Sequence, residues 1–137
     1  MNVQELMTTH VDSITPDLYL RAAARKMKEL GVGSLAVVEG DSVVGIITDR
    51  DLVCFGIAMG RDLNSDQVNK IMSKNIVTCK TSQKIDDAAK IMIDNHIRRL
   101  LVLDDNNRLA GFFSVDDLVR GSHELAGAVL EAATPIH

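Results

Sequence analysis

The chain carries the stretch Gly-Ile-Ile-Thr-Asp-Arg-Asp at residues 45–51, and Gly-Phe-Phe-Ser-Val-Asp-Asp follows 66 residues later at residues 111–117. Each stretch has a glycine, two apolar residues, and a hydroxyl residue with an aspartate three positions further on. Similar stretches at a fixed spacing indicate an internal repeat. Before Asn106 the shift is 65, which aligns Ala23-Ala24 with Ala88-Ala89, and one extra residue near Asn106 changes it to 66. The chain is therefore a tandem duplication.

Each repeat predicts the same order of elements. A short turn and a brief strand come first, then an amphipathic helix, a hairpin of two apolar strands and a second helix. Asp17 and Ser82 are the predicted N-caps of the first helices, and Thr48 and Ser114 those of the second. We expect an α+β fold of two β-α-β-β-α repeats, residues 1–66 (with a linker) and 67–121. A tail at residues 122–137 is expected to form a short helix.

The apolar strands need cover on both faces, and a unit of about 60 residues is marginal alone. We therefore predict that the repeats pack sheet to sheet around a pseudo-twofold axis, which would create two related clefts. With 46% hydrophobic and 25% charged residues, the composition is that of a globular protein. No apolar run approaches the roughly 18–20 residues of a membrane span.

The net charge, the cysteines and the sequence motifs argue against several classes of function. The net charge of −4 argues against nucleic-acid binding, which relies on basic residues. Cys54 and Cys79 have no partner motif, so we expect neither a disulfide framework nor a metal site, and we expect a cytoplasmic protein. No nucleophile, base or metal constellation is visible, so we predict no catalytic residues and no enzyme activity.

The repeated stretch has a chemical interpretation and a structural one. A helix N-terminus attracts phosphate, a Thr or Ser hydroxyl adds a donor, and the carboxylate of Asp51 or Asp117 can accept both hydroxyls of a ribose. The glycine would let a flat ring approach the strand. The same hydroxyl-x-x-Asp spacing also forms a capping box, which only starts a helix.

The ordered set of motifs resembles the CBS domain family, named after cystathionine β-synthase. The resemblance rests on residues 45–51 and 111–117, on Met7-Thr8 and Met72-Ser73 at the start of each repeat, and on the central stretches 31–38 and 96–104. Two such domains in tandem resemble a CBS pair, or Bateman module. The likeness covers about residues 3–121.

The resemblance implies binding of adenosine-containing ligands such as AMP, ADP, ATP, NAD or S-adenosylmethionine. It implies that the aspartate of one repeat holds ribose while the central strand of the sister repeat contacts the base. Carried over, one site comprises Thr48, Arg50 and Asp51 with Ile97, Arg98 and Arg99, and the other comprises Ser114 and Asp117 with Val32, Gly33 and Ser34. Because the first site gains arginines, we expect stronger phosphate binding there.

We therefore predict a regulatory sensor that binds an adenine nucleotide, requires no cofactor and signals to an unidentified partner protein by a population shift. We expect a homodimer. The alternative is a dimerisation or protein-interaction module without a ligand.

Overall fold

The computed structural model describes residues 1–134, so the last three residues of the predicted tail at 122–137 lie outside the described residues. In chain order its elements are α1 (Val3–Leu6), β1 (Ser13–Ile14), α2 (Leu20–Leu30), β2 (Ser34–Glu39), β3 (Ser42–Thr48), α3 (Asp49–Asp51), a π-helix (Leu52–Ile57), a 3₁₀ turn (Val68–Lys70), β4 (Thr78–Lys80), α4 (Ile85–Asn95), β5 (Arg99–Leu103), β6 (Leu109–Ser114), α5 (Val115–Val119) and α6 (His123–Ala133). The predicted α+β class is confirmed.

The chain divides into two compact units. One is the contiguous unit, residues 12–76, and the other is the discontinuous unit, which joins residues 1–11 to the chain from residue 77 onward. These units cut the chain at different places from the sequence repeats 1–66 and 67–121. The difference arises because the first residues of each repeat pack in the unit that holds the other repeat's strands.

Each unit contains a three-stranded sheet, of order β1-β2-β3 or β4-β5-β6. In each sheet the first strand is parallel to the second, so a helix, α2 or α4, makes the required crossover. The second and third strands are antiparallel, in the register Ser34↔Thr48 and Arg99↔Ser114. Both predicted hairpins are confirmed.

The hairpin turns use residues that tolerate a left-handed backbone. Gly40 has φ 62°, and Asn107 adopts the same φ in the second hairpin. The carboxylate of Asp104 accepts hydrogen bonds from the backbone N–H groups of Asn106 (2.8 Å) and Arg108 (3.0 Å). The bond from the Arg108 backbone is the main reason that the pKa of Asp104 lies below its usual value.

The predicted N-caps Asp17 and Ser82 are wrong by two residues. Helices α2 and α4 follow Tyr19 and Lys84, neither of which caps through its side chain. Instead, the N–H of Leu20 donates to the carbonyl of Asp66 (3.0 Å), and the N–H of Ile85 donates to the carbonyl of Met1 (3.0 Å). Backbone carbonyls from distant parts of the sequence thus accept the hydrogen bonds of the first N–H groups of both helices, so no local side-chain cap is needed for them.

One apolar cluster fills each unit. In the contiguous unit it lies between α2 and the sheet and includes Leu20, Leu35 and Ile47, all fully buried. In the discontinuous unit Phe113 and Met92 occupy the corresponding place. The buried residues Leu20, Ala23 and Met27 of α2 recur in α4 as Ile85, Ala88 and Met92, whereas Ala24 and Leu30, on the predicted apolar face, are exposed.

Helix α6 covers α4 and α5 of the discontinuous unit. The hydroxyl of Ser122 caps it by accepting from the N–H of Leu125 (3.2 Å), while Ala126 and Val129 are buried against the core. At its far end, Nδ1 of His96, the left-handed residue that ends α4, lies 2.9 Å from the carbonyl oxygen of Ala132. The buried residues of α6 therefore pack on helices of its own unit.

We call residues 3–8 and 68–73 the repeat arms. Thr8 of the first arm exchanges two backbone hydrogen bonds of 2.8 Å with Phe112 in β6, within the discontinuous unit. Ser73 of the second arm exchanges bonds of 2.9 and 3.0 Å with Ile46 in β3, within the contiguous unit. Each arm thus completes the outer edge of the third strand in its unit.

The arms also account for the glycine in each repeated stretch. A Cβ on Gly45 would lie 2.6 Å from Sδ of Met72, and one on Gly111 would lie 2.5 Å from the carbonyl oxygen of Thr8. The expectation that this glycine admits a flat ligand ring is corrected, because the group that approaches it is the protein's own arm. Close approach of the arm is the physical reason for glycine at both positions, by the backbone of Thr8 at Gly111 and mainly by the side chain of Met72 at Gly45.

Candidate functional site

The Thr48–Asp51 junction forms where β3 passes into α3. Thr48 Oγ1 accepts from the N–H of Asp51 (3.1 Å), and Oδ2 of Asp51 accepts from the N–H of Thr48 (2.9 Å). The predicted capping box is therefore present. Asp51 is half-buried, and among the described residues its other oxygen, Oδ1, has no hydrogen-bond partner. The box holds the carboxylate rigid with one oxygen open.

The Ser114–Asp117 junction has the same box and a different environment. Oδ2 of Asp117 accepts from the N–H (3.0 Å) and the hydroxyl (3.2 Å) of Ser114. Oδ1 accepts from the hydroxyl of Thr8 (3.2 Å) and from Nη2 of Arg120 (2.7 Å). Asp117 is only 4% exposed. A carboxylate offers about four acceptor positions, so this one is fully engaged.

The predicted central-strand residues lie beside the junction of their own unit. The carbonyl of Gly33 accepts from the N–H of Asp49 (2.9 Å), and the carbonyl of Arg98 accepts from the N–H of Val115 (2.9 Å). A Cβ on Gly33 would lie 3.2 Å from a carboxylate oxygen of Asp49, which adds an acid that the sequence analysis did not single out.

The other predicted residues differ in exposure. Ser34 is buried and opposite Thr48 in the sheet, and Val32 packs against the core. Ile97 also packs against its core. The predicted cations are all exposed: Arg50, Arg98 and Arg99.

Sequence reasoning missed Arg120 and the contact of Thr8 with Asp117. Arg120 had a local signal, since an acid and a base three residues apart on a helix face each other. At the corresponding place in the first repeat stands Cys54, so this cation belongs to one repeat alone. Thr8 had no local signal, because 109 residues separate it from its partner.

The cysteines have different environments. Cys79 lies in the core, and its burial raises the pKa of the thiol to about 11. Cys54 is half-buried. Within residues 1–134 we find no group of three or more His, Cys, Asp or Glu side chains placed to hold a metal ion. In the same range no helix has the length and apolar character to span a membrane.

The sequence profile of the CBS domain matches this chain twice, at residues 3–55 and 68–124. The chain belongs to the CBS domain family. The chain is 36% identical over 131 residues to the CBS domain-containing protein YhcV of Bacillus subtilis, and the match covers 94% of this chain and 92% of that protein. The resemblance predicted from the repeated stretches is thereby confirmed.

Solved CBS structures share the fold. A CBS-domain containing protein from Agrobacterium tumefaciens superposes with a TM-score of 0.77 at 30% identity, covering 88% of this chain and 98% of that one. The CBS domain pair of protein MJ0100, solved with 5′-methylthioadenosine and S-adenosyl-L-methionine, gives a TM-score of 0.75 at 23% identity, with coverages of 88% and 94%. CBS pairs are regulatory modules, and this chain is a tandem pair of that kind.

Proposed function

We propose that this CBS pair is a sensor that binds an adenosine-containing ligand and holds the ribose of that ligand on the Asp51 carboxylate. The observation that carries the proposal is the state of this carboxylate, which is fixed by the capping box and retains an open oxygen. The two hydroxyls of a ribose are donors, and a carboxylate accepts both of them. Because the box already orders the side chain, binding loses little conformational entropy there.

The phosphate of the ligand would lie at the cationic side of the same junction. Arg50 is exposed and follows Thr48 by two residues, and family resemblance adds Ile97, Arg98 and Arg99 to this site. The second predicted site comprises Ser114 and Asp117 with Val32, Gly33 and Ser34, and it has the acid Asp116 where the first has Arg50. We therefore assign the stronger phosphate binding to the Asp51 junction.

Ligand binding would act on a partner protein by shifting the population of conformations of the pair. No cofactor enters this mechanism, and neither junction is assigned a chemical step. We place the protein in the cytoplasm, because both cysteines are free thiols and thiols persist in a reducing compartment.

Native mass spectrometry with AMP, ADP, ATP, NAD and S-adenosylmethionine tests the proposal and identifies the ligand. A bound nucleotide at a hundred times its Kd raises the free energy of unfolding by about 2.7 kcal/mol, which a thermal shift detects. Complexes with none of the five ligands would refute the proposal.

Substitution of the two aspartates then locates the site. We expect Asp51→Asn to abolish most AMP binding and Asp117→Asn to leave most of it. The control is Asp41→Asn, which makes the same charge change at an exposed turn of the same unit. Equal losses from Asp51→Asn and Asp117→Asn would contradict the assignment.

The second candidate function is a dimerisation or protein-interaction module without a ligand. It is favoured by exposed apolar side chains in and after the π-helix, since Val53, Phe55, Ile57 and Met59 are each 54–70% exposed. Exposed apolar surface of this kind often marks an interaction site. We propose a homodimer on this basis. Light scattering of the purified chain and of Phe55→Asp tests it, with a monomeric wild type as the contrary result.

A further inference from the structure

Arg120 holds the Asp117 carboxylate through a contact that the Asp51 junction lacks. Its Nη2 lies 2.7 Å from Oδ1 of Asp117 and 2.9 Å from the carbonyl oxygen of Leu6 in the first arm. The guanidinium thus bridges α5 and the arm on one side of the carboxylate. Thr8 supplies a further bond from the same arm.

The position of this ion pair suits a reversible contact. The Asp117 side chain is 5% exposed, whereas the Arg120 side chain is 59% exposed. The arginine can therefore swing into solvent with little loss of packing, because an exposed partner of an ion pair is already largely hydrated. The carboxylate left behind would need new donors, since a buried charge without partners is costly.

We infer that Arg120 is a specificity-determining residue that occupies the sugar-accepting oxygen of Asp117 and thereby limits the pair to one nucleotide, at Asp51. This inference rests on the proposed function. Arg120 acts through Asp117 and is a positioning residue. A ligand ribose at Asp117 must displace the arginine, whereas at Asp51 it meets an oxygen without a partner among the described residues.

The size of the effect follows from the type of bond that is displaced. A charge-assisted hydrogen bond contributes a factor of roughly 10 to 100 to an equilibrium constant. Removing the Arg120 guanidinium should therefore raise the affinity of the second site by about that factor. At AMP concentrations that saturate the first site of the wild type, the second site then becomes measurable.

Isothermal titration with AMP tests the inference through stoichiometry, which a merely structural role of Arg120 would not raise. We expect one AMP per chain for the wild type, two for Arg120→Ala and one again for Arg120→Ala with Asp117→Asn. The control is Arg108→Ala, an exposed arginine of the same unit with the same charge change, which should stay at one. One AMP for Arg120→Ala would overturn the inference and leave the Asp51 assignment intact.

A double-mutant cycle checks the contact without a ligand. We expect Arg120→Ala to lower the melting temperature by a few degrees when Asp117 is present and by much less in Asp117→Asn, because only a charged partner loses by the change. Equal decreases would overturn the inference even if AMP binds at Asp51. Coupling without binding of AMP, ADP, ATP, NAD or S-adenosylmethionine by any variant would instead refute the proposed function, and this inference with it.

Discussion

Substituting the two strand glycines by alanine tests how the arms are fixed. A Cβ on Gly111 meets the carbonyl oxygen of Thr8 at 2.5 Å, which is backbone and is held by two hydrogen bonds to Phe112. A Cβ on Gly45 meets Sδ of Met72 at 2.6 Å, and the nearest backbone atom, the carbonyl oxygen of Ser73, is 3.0 Å away. A thioether side chain can rotate away, but a paired backbone cannot.

The magnitudes follow from this difference. Overpacking costs about 1–3 kcal/mol, so we expect Gly111→Ala to lose about 3 kcal/mol of unfolding free energy and Gly45→Ala about 1–2 kcal/mol. Alanine also restricts the unfolded chain, which returns roughly 0.5–1 kcal/mol. Gly127→Ala isolates that gain, because Gly127 lies inside α6 and, apart from the helix's own neighbouring backbone, no described atom lies within 4 Å of its would-be Cβ. This control should be stabilised by about 1 kcal/mol.

Urea unfolding followed by circular dichroism measures all three variants, since the chain has no tryptophan and only one tyrosine. Because Thr8 also donates to Asp117, Gly111→Ala should weaken the contacts of that carboxylate as well. A Gly111→Ala variant as stable as the wild type, or a Gly45→Ala variant that loses more stability than Gly111→Ala, would contradict this account of the arms.

Further predictions concern the cysteines, the caps and the helix faces. The unfolded Cys79 thiol ionises near its ordinary pKa of 9.0 and the folded one near about 11, so the unfolding free energy should fall from about pH 9 to pH 11 by up to roughly 3 kcal/mol. Cys79→Ala should remove that decrease in pH-dependent urea titrations, and at pH 8 a thiol reagent should modify Cys54 first. Thr48→Ala should cost about 1 kcal/mol in urea unfolding through loss of the cap, and Thr48→Ser should cost less than half of that, while equal losses would show that the hydroxyl is not the cause. Ala89 is fully buried while its repeat counterpart Ala24 is exposed, so Ala89→Leu should lose about 1–3 kcal/mol and Ala24→Leu almost nothing, and a similar cost in both would contradict the burial pattern.

The sequence predicted what depends on local pattern. Thr48 and Ser114 begin helices as expected, because a hydroxyl with an acid three residues later satisfies both ends of a capping box. The hairpins follow from apolar strands with Gly40 and Asn107 at their turns. Such features need only neighbouring residues, which a repeat displays twice.

Long-range contacts explain most of what it could not predict. Asp17 does not cap α2, because the carbonyl of Asp66, 46 residues after Leu20, accepts the hydrogen bond of the first N–H of the helix. The pairing of Thr8 with Phe112 leaves no trace in the periodicity of either segment. The π-helix was also unexpected, since its apolar residues Leu52–Ile57 fit an ordinary α-helix.

At the candidate site, sequence identified both aspartates and missed their difference. Asp51 and Asp117 occupy equivalent places in two nearly equivalent stretches, so pattern alone treats them as two copies of one site. Their environments differ at two places: the helix position that holds Cys54 in one repeat and Arg120 in the other, and the arm, from which the Thr8 hydroxyl donates to Asp117. A duplicated motif therefore predicts the shared capping-box geometry. Which oxygens of each aspartate have further hydrogen-bond partners depends on the surrounding residues.

The arms have a consequence for any attempt to isolate half of this protein. Cutting the chain between the repeats would separate each third strand from the arm that pairs with it. Each arm would remain on the other fragment. In a dimer of one isolated repeat, the arm of each copy could pair with the third strand of the other copy. An isolated repeat is therefore expected to form a homodimer by exchanging arms. In the duplicated chain, the repeat that supplies each arm and the repeat that receives it belong to one polypeptide. The exchange of arms is therefore intramolecular and does not depend on protein concentration.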